Sequence, residues 1–240
     1  MTDAVTSSPR TIAEKLRGKF LVLDGADGSG KSTQRQRLAE TLQDQGIDLV
    51  SCRDPGGTAI GDRIRSVLLD HDLADMDVHC ETLLFMASRA QLVAEVIKPA
   101  LADGKTVLCD RFVTSTCAYQ GAAGFDAKRV IELARFAIGD CWPDLTIVLD
   151  VDAEEGFERI GRKAHHAGKN RKKSAGEATL ISGATTDAME ARPLDFHRRV
   201  CALFRQVHEY YPAPVVNVDG RGDAETVHGR VLECLSGVTA

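Results

Sequence analysis

Gly25-Ala26-Asp27-Gly28-Ser29-Gly30-Lys31-Ser32 fits the pattern G-x-x-x-x-G-K-[ST], which builds an anion site largely out of backbone. Its glycines let the chain curl so that successive N–H groups converge on phosphate oxygens. A helix starting at Lys31 adds its free N–H groups and positive dipole end. Lys31 would then reach the β- and γ-phosphates of a nucleoside triphosphate, and the Ser32 hydroxyl would bind Mg2+. The stretch from Gly25 to Thr33 is therefore the expected triphosphate site. A second reactive pair, Asp110-Arg111, ends the apolar run Thr106 to Cys109. There a carboxylate suits Mg2+-bound water, and a guanidinium suits a phosphate held by two parallel hydrogen bonds.

These groups need a scaffold that brings them together. Phe20 to Leu23 (FLVL) predicts a strand buried on both faces, and Lys31 to Gln45, with Leu38 and Leu42 four apart and Gly46 beyond, predicts a helix. Further strands are expected at Leu49 to Cys52, Thr106 to Cys109, Leu145 to Val151 and Val215 to Val218. A long helix carrying Leu83, Leu84, Val93, Val96 and Ile97 is expected from Val78 to about Leu101, bent or ended near Pro99. Short strands alternating with helix-length segments imply an α/β fold, a parallel sheet covered on both faces with right-handed crossovers.

Composition narrows the function classes. At 240 residues, with 43% apolar residues, one domain is expected. Thirty Lys and Arg against 35 Asp and Glu give a net charge of -5, so the overall field would repel nucleic acid or an acidic membrane, and any anion needs a local cluster of donors. Seven scattered cysteines without a C-x-x-C pair fit reduced thiols in the cytoplasm. Residues 1–18 read as a polar extension with a short helix around Thr11 to Arg17, and no apolar stretch is long enough for a signal peptide or a bilayer span. A guanine-nucleotide switch is disfavoured: no Asn-Lys-x-Asp element occurs, and Asp219-Gly220-Arg221-Gly222 reads as a turn. The loop alone leaves nucleotide kinases and regulatory ATPases open.

Through GADGSGKST, RDPGGT at Arg53 to Thr58, LLFMASRAQLV at Leu83 to Val93, and DRFVTSTCAYQG from Asp110, the chain closely resembles the thymidylate kinase family, in unbroken order from about Lys19 to Leu235. The resemblance implies a P-loop fold of nucleoside-monophosphate-kinase type: a five-stranded parallel sheet, one domain over residues 19–240, and a mobile lid at about 159–187. It also implies a homodimer and the reaction of ATP with dTMP to give ADP and dTDP, in dTTP synthesis. Phe85 matches the ring on which thymine stacks and Arg89 the guanidinium at the base edge; positions i and i+4 share one helix face, so plate and donor can meet one base. Arg111 and Arg65 match phosphate-holding positions, Thr116 and Gln120 face the thymine edge, and Tyr119 crowds the 2′ position. Ser115 lies in the same acceptor segment, and Pro55 with Gly56 and Gly57 shapes the pocket wall. Asp27 matches an acidic position near the acceptor phosphate, which makes Asp27, Ser32 and Asp110 the candidate Mg2+ residues.

Two departures from the family pattern concern the lid. The phosphate loop has no Arg, so charge for the transferring phosphoryl must come from Arg159-Ile160-Gly161-Arg162-Lys163 or from the later Lys169, Arg171, Lys172 and Lys173. Arg162 or Lys163 is expected to carry it, joining Lys31, Asp27 and Arg111 as catalytic residues. An insertion of some twenty residues follows, and Asp187-Ala188-Met189-Glu190 lacks the family's Arg. Two other readings remain: a P-loop kinase with a different acceptor, and a nucleotide-dependent regulatory ATPase.

Overall fold

Alternation along the central strand builds two cores at once. In β1 (Phe20–Gly25), Phe20 and Val22 join one apolar cluster while Leu21 and Leu23 join another on the opposite side. The computed structural model describes residues 12–73, 75–161 and 188–236. After a short α1 (Ile12–Leu16), β1 leads into α2 (Lys31–Asp44), then β2 (Leu49–Arg53), α3 (Ala59–Leu68) and α4 (Val78–Leu92). A π-helical turn at Val93–Ile97 joins α4 to α5 (Lys98–Ala102), followed by β3 (Thr106–Asp110), α6 (Val113–Ala122) and α7 (Ala127–Ile138). Next come β4 (Leu145–Asp150), α8 (Ala153–Arg159), α9 (Leu194–Gln206), β5 (Val215–Asp219) and α10 (Ala224–Ser236).

The five strands run parallel, as expected, and lie in the order β2-β3-β1-β4-β5. On one face Leu38 and Leu42 of α2 pack with Val227, Val231 and Leu235 of α10 against Leu108, Ile147 and Leu149. On the other, Met86, Leu92, Phe112, Val130 and Ile138 cover Val107 and Cys109. A third cluster, Tyr119, Phe157, Phe196 and Phe204, closes the end beside α8 and α9.

The long helix expected at Val78 to Leu101 is instead three pieces. Pro99 has no N–H to give and its ring crowds the carbonyl one turn earlier; the ladder widens over Val93–Ile97 and restarts with Pro99 in the first turn of α5. Leu83, taken as part of that helix's apolar pattern, is exposed. Helix α3 follows the N-cap residue Thr58, whose side chain accepts from Gly61 N–H, within a stretch for which the sequence reading placed no element. All seven cysteines are free, and no helix among the described residues is long and apolar enough to cross a membrane.

Candidate active site

The carboxyl ends of β1, β2 and β3 deliver three short polar segments to one edge of the sheet. From β1 comes the phosphate loop. Gly28 adopts φ +75°, and a Cβ there would lie 2.1 Å from Gly156 O in α8; a Cβ on Gly156 would lie 2.4 Å from Asp27 O. The loop is thus pressed backbone to backbone against α8. Gly30 caps α2 in the left-handed region without a side-chain cap, leaving the first N–H groups of α2 without one.

A cleft of about 550 Å³ runs along this edge. At one end it is lined by Asp27, Gly28, Gly30, Lys31, Ser32 and Thr33, and at the other by Pro55, Arg65, Phe85, Arg89, Thr116 and Gln120, with Asp110, Arg111, Ser115 and Tyr119 between. Pro55, Arg65, Phe85, Arg89, Arg111, Ser115, Thr116, Tyr119 and Gln120, all picked out in the sequence, share this cavity with Lys31, whereas Gly56 and Gly57 do not line it. Gly25, Ala26 and Ser29 shape the loop without lining it. Arg162 and Lys163 lie outside the described residues, as does nearly all of the expected lid; of its described part, Arg159 and Ile160 at the end of α8 line the cleft, as do Met189 and Glu190 just beyond it.

Arg111 sits at the centre. Its φ is +64°, unusual for a residue with a side chain. Its Nη1 donates to Gly25 O at 3.0 Å and to Ser115 Oγ at 3.1 Å, and its Nη2 donates to Asp27 Oδ1 at 2.6 Å. Burial works against its charge, but the surrounding Tyr119, Asp27, Asp24 and Asp110 more than offset that and raise its pKa. Burial likewise pushes the Asp27 carboxyl up, yet Arg111 and Lys31 hold it below the usual carboxylate value. Lys31 Nζ donates to Ala26 O at 2.7 Å. Burial first, then Arg111, lower the Lys31 pKa to about 8. Asp110 has Arg35 Nε at 3.7 Å.

The end of the cleft around Phe85 and Arg89 is fixed by pairs that the sequence reading missed. Arg89, expected at the base edge, is almost wholly buried: Nε donates to Asp54 Oδ2 at 2.5 Å and Nη2 to Phe112 O and Thr116 Oγ1. Most of its donors are thereby committed to the protein. Burial raises the Asp54 pKa, only partly countered by Arg89. Asp24, fully buried, accepts from the hydroxyls of Thr114 and Ser115 and so orients α6. Glu81 accepts from Gln120 Nε2 at 3.0 Å and from Arg192 Nη2 through both oxygens at 2.9 Å. Phe85 is half-buried and belongs to none of the core clusters, so its ring is wall and not interior.

The thymidylate kinase family model matches residues 23–183. The chain belongs to the thymidylate kinase family. A thymidylate kinase of Halothermothrix orenii is 40% identical over 92% of the chain and 98% of its own length, and that of Afipia carboxidovorans is 41% identical over 94% and 92%. A crystal structure of thymidylate kinase from Ehrlichia chaffeensis superposes with a TM-score of 0.66 at 29% identity, covering 91% of the chain and 98% of that structure. The thymidylate kinase fold, its ATP-dependent phosphotransfer to dTMP and its use of ATP therefore hold for this chain. The two ends of the cleft meet at Arg111, which bonds to both Gly25 and Asp27 of the phosphate loop.

Proposed function

We propose that the cleft carries out transfer of the γ-phosphoryl group of ATP to dTMP with the following division of labour. The phosphate loop and Lys31 hold the triphosphate, Phe85 stacks on thymine, and Thr116 and Gln120 meet its edge. Pro55 and Tyr119 close the sugar side, and Arg65 with Arg111 receives the acceptor phosphate. That phosphate is already anionic near neutral pH, so no side chain has to remove a proton, and the work is alignment plus charge neutralisation. Arg162 or Lys163 is assigned the charge opposite the transferring group, since the phosphate loop holds no Arg.

Mg2+ suits the donors present. The Ser32 hydroxyl and the Asp110 carboxylate are hard oxygen ligands, and among the described residues no cluster of three His, Cys, Asp or Glu exists that would form an all-protein cage. Such a set fits a cation that takes one or two protein ligands and completes its shell with phosphates and water. Ser32 and Asp110 would hold Mg2+, with Asp27, ion-paired with Arg111, as the further candidate, and the ion would supply charge neutralisation for the phosphates. A homodimer is supported by exposed apolar side chains on three adjoining helices: Ile60 and Val67 of α3, Leu83 of α4, and Phe136 of α7, which is 93% exposed. The net charge and free thiols support a cytoplasmic enzyme without a nucleic-acid or membrane partner.

The observation that carries this reading is the single cleft in which Lys31 and Phe85 both stand, joined by Arg111. An ADP-release assay with dTMP, dUMP, CMP, AMP, GMP and thymidine tests it. dTMP is expected to be preferred. Preference for any other acceptor overturns the roles given to Phe85, Gln120 and Tyr119, and slow hydrolysis with no dependence on acceptor would indicate a regulatory ATPase.

A further inference from the structure

Gln120 carries an unusual asymmetry. Its carboxamide lines the acceptor end of the cleft, its Nε2 donates to Glu81 Oε1 at 3.0 Å, and its Oε1 is buried with no hydrogen-bond partner among the described residues. A buried amide oxygen left unmet is costly, and such exceptions point to a ligand that completes them.

What fixes that asymmetry is Glu81. It is 2% exposed, and both of its oxygens accept from Arg192 Nη2 at 2.9 Å. A carboxylate so held offers only acceptor capacity, so the amide nitrogen must face it and the amide oxygen must face away. Arg192 is itself seated, its guanidinium carbon 4.7 Å from the centre of the Phe196 ring. The chain of contacts runs from α9 through α4 to α6: Phe196, Arg192, Glu81, Gln120.

We infer that Glu81 and Arg192 are positioning residues that lock the Gln120 carboxamide with its oxygen available to the acceptor base, and so set selection between pyrimidines. Thymine and uracil carry a ring N–H that this oxygen can accept. Cytosine presents a ring-nitrogen lone pair at the same place, which would face the oxygen without a proton between them. Turned over, the amide would offer N–H groups to that lone pair and would oppose the thymine N–H. The orientation alone therefore decides which base is matched. This inference rests on the acceptor reading given above.

The test measures kcat/KM for dTMP and for dCMP in the wild-type enzyme and in Glu81→Gln, Arg192→Met and Arg192→Lys. Glu81→Gln can donate as well as accept and releases the orientation; the dTMP-to-dCMP ratio is expected to fall at least tenfold, about 1.4 kcal/mol, mostly through KM for dTMP. Arg192→Met is expected to lower the ratio in the same direction, and Arg192→Lys, which keeps a cation opposite Glu81, to restore part of it. A ratio within twofold of wild type in both Glu81→Gln and Arg192→Met, or equal losses on the two substrates, overturns the inference. Should Glu81→Gln not fold, the two Arg192 variants decide alone, since that side chain is partly exposed. A wild-type enzyme without preference for dTMP over dCMP would instead defeat the acceptor reading itself.

Discussion

Arg111 Nη2 and Asp27 Oδ1 lie 2.6 Å apart, so the guanidinium at the end of β3 and the carboxylate inside the phosphate loop form one ion pair across the middle of the cleft. Because Arg111 also donates to Gly25 O, it fastens the end of β3 to the phosphate loop. Lys could keep the charge but not this fork of simultaneous bonds. Arg111→Lys is expected to lower kcat/KM for dTMP by roughly a hundredfold, about 2.7 kcal/mol, with a smaller effect on ATP binding. Steady-state kinetics varying each substrate in turn would check it.

Lys31 predicts a pH profile. Its pKa in the free protein is lowered to about 8, so it carries its charge below that pH and loses it above. Since kcat/KM reports ionisations of the free enzyme, kcat/KM for ATP is expected to fall as pH rises through about 8. Bound triphosphate favours the ammonium form, so kcat at saturating ATP should hold to higher pH. Lys31 has a folded-state pKa below its unfolded one, so its cost to stability is relieved as pH rises from about 8 towards 10.5.

Phe85 belongs to the cleft wall and not to the apolar core. Replacing it with Ala should therefore cost binding more than folding. KM for dTMP is expected to rise roughly 10- to 100-fold, corresponding to about 1–3 kcal/mol of base stacking, while KM for ATP changes little. A large fall in thermal stability with unchanged KM would return Phe85 to the core.

The Arg89–Asp54 pair is buried on both sides. Arg89→Met leaves a carboxylate without its cation and is expected to cost about 3–5 kcal/mol in urea unfolding. The Asp54 pKa is already raised, mainly by burial, and losing Arg89 raises it further. A group with a raised folded-state pKa gives up stability as pH rises through it, so the loss in this variant should be greater at pH 8 than at pH 5.

Phe136 stands out from α7 almost wholly exposed, on the face proposed to join two copies. Phe136→Glu is expected to shift sedimentation from dimer to monomer. A wild-type chain that sediments as a monomer would remove that proposal.

The parts of the molecule legible in the sequence are those made of neighbours. The phosphate loop is eight consecutive residues, and the five strands are contiguous apolar runs placed within one or two residues of their observed ends. Phe85 and Arg89 sit one helical turn apart, a spacing the sequence displays directly. The groups that hold them are far away along the chain: Asp54 lies 35 residues from Arg89, and Arg192 lies 111 from Glu81. Only folding brings such pairs together, and a lone Glu or Arg looks the same whether it is solvated or buried. The signal for α3 was present in Thr58 followed by Ile60, Ile64 and Leu68. The three-part form of α4, π turn and α5 depends on how the ladder accommodates Pro99, which periodicity does not reveal.

The contact between Gly28 and Gly156 bears on attempts to make this enzyme more heat-resistant. Gly156 is in the body of α8, where exchange for Ala would ordinarily strengthen an isolated helix by about 1 kcal/mol. Here the added methyl would collide with Asp27 O and push the nucleotide cradle out of shape. A conformationally expensive residue is retained because two stretches of main chain need the same space, and a design rule that scores helices one at a time would choose the wrong substitution.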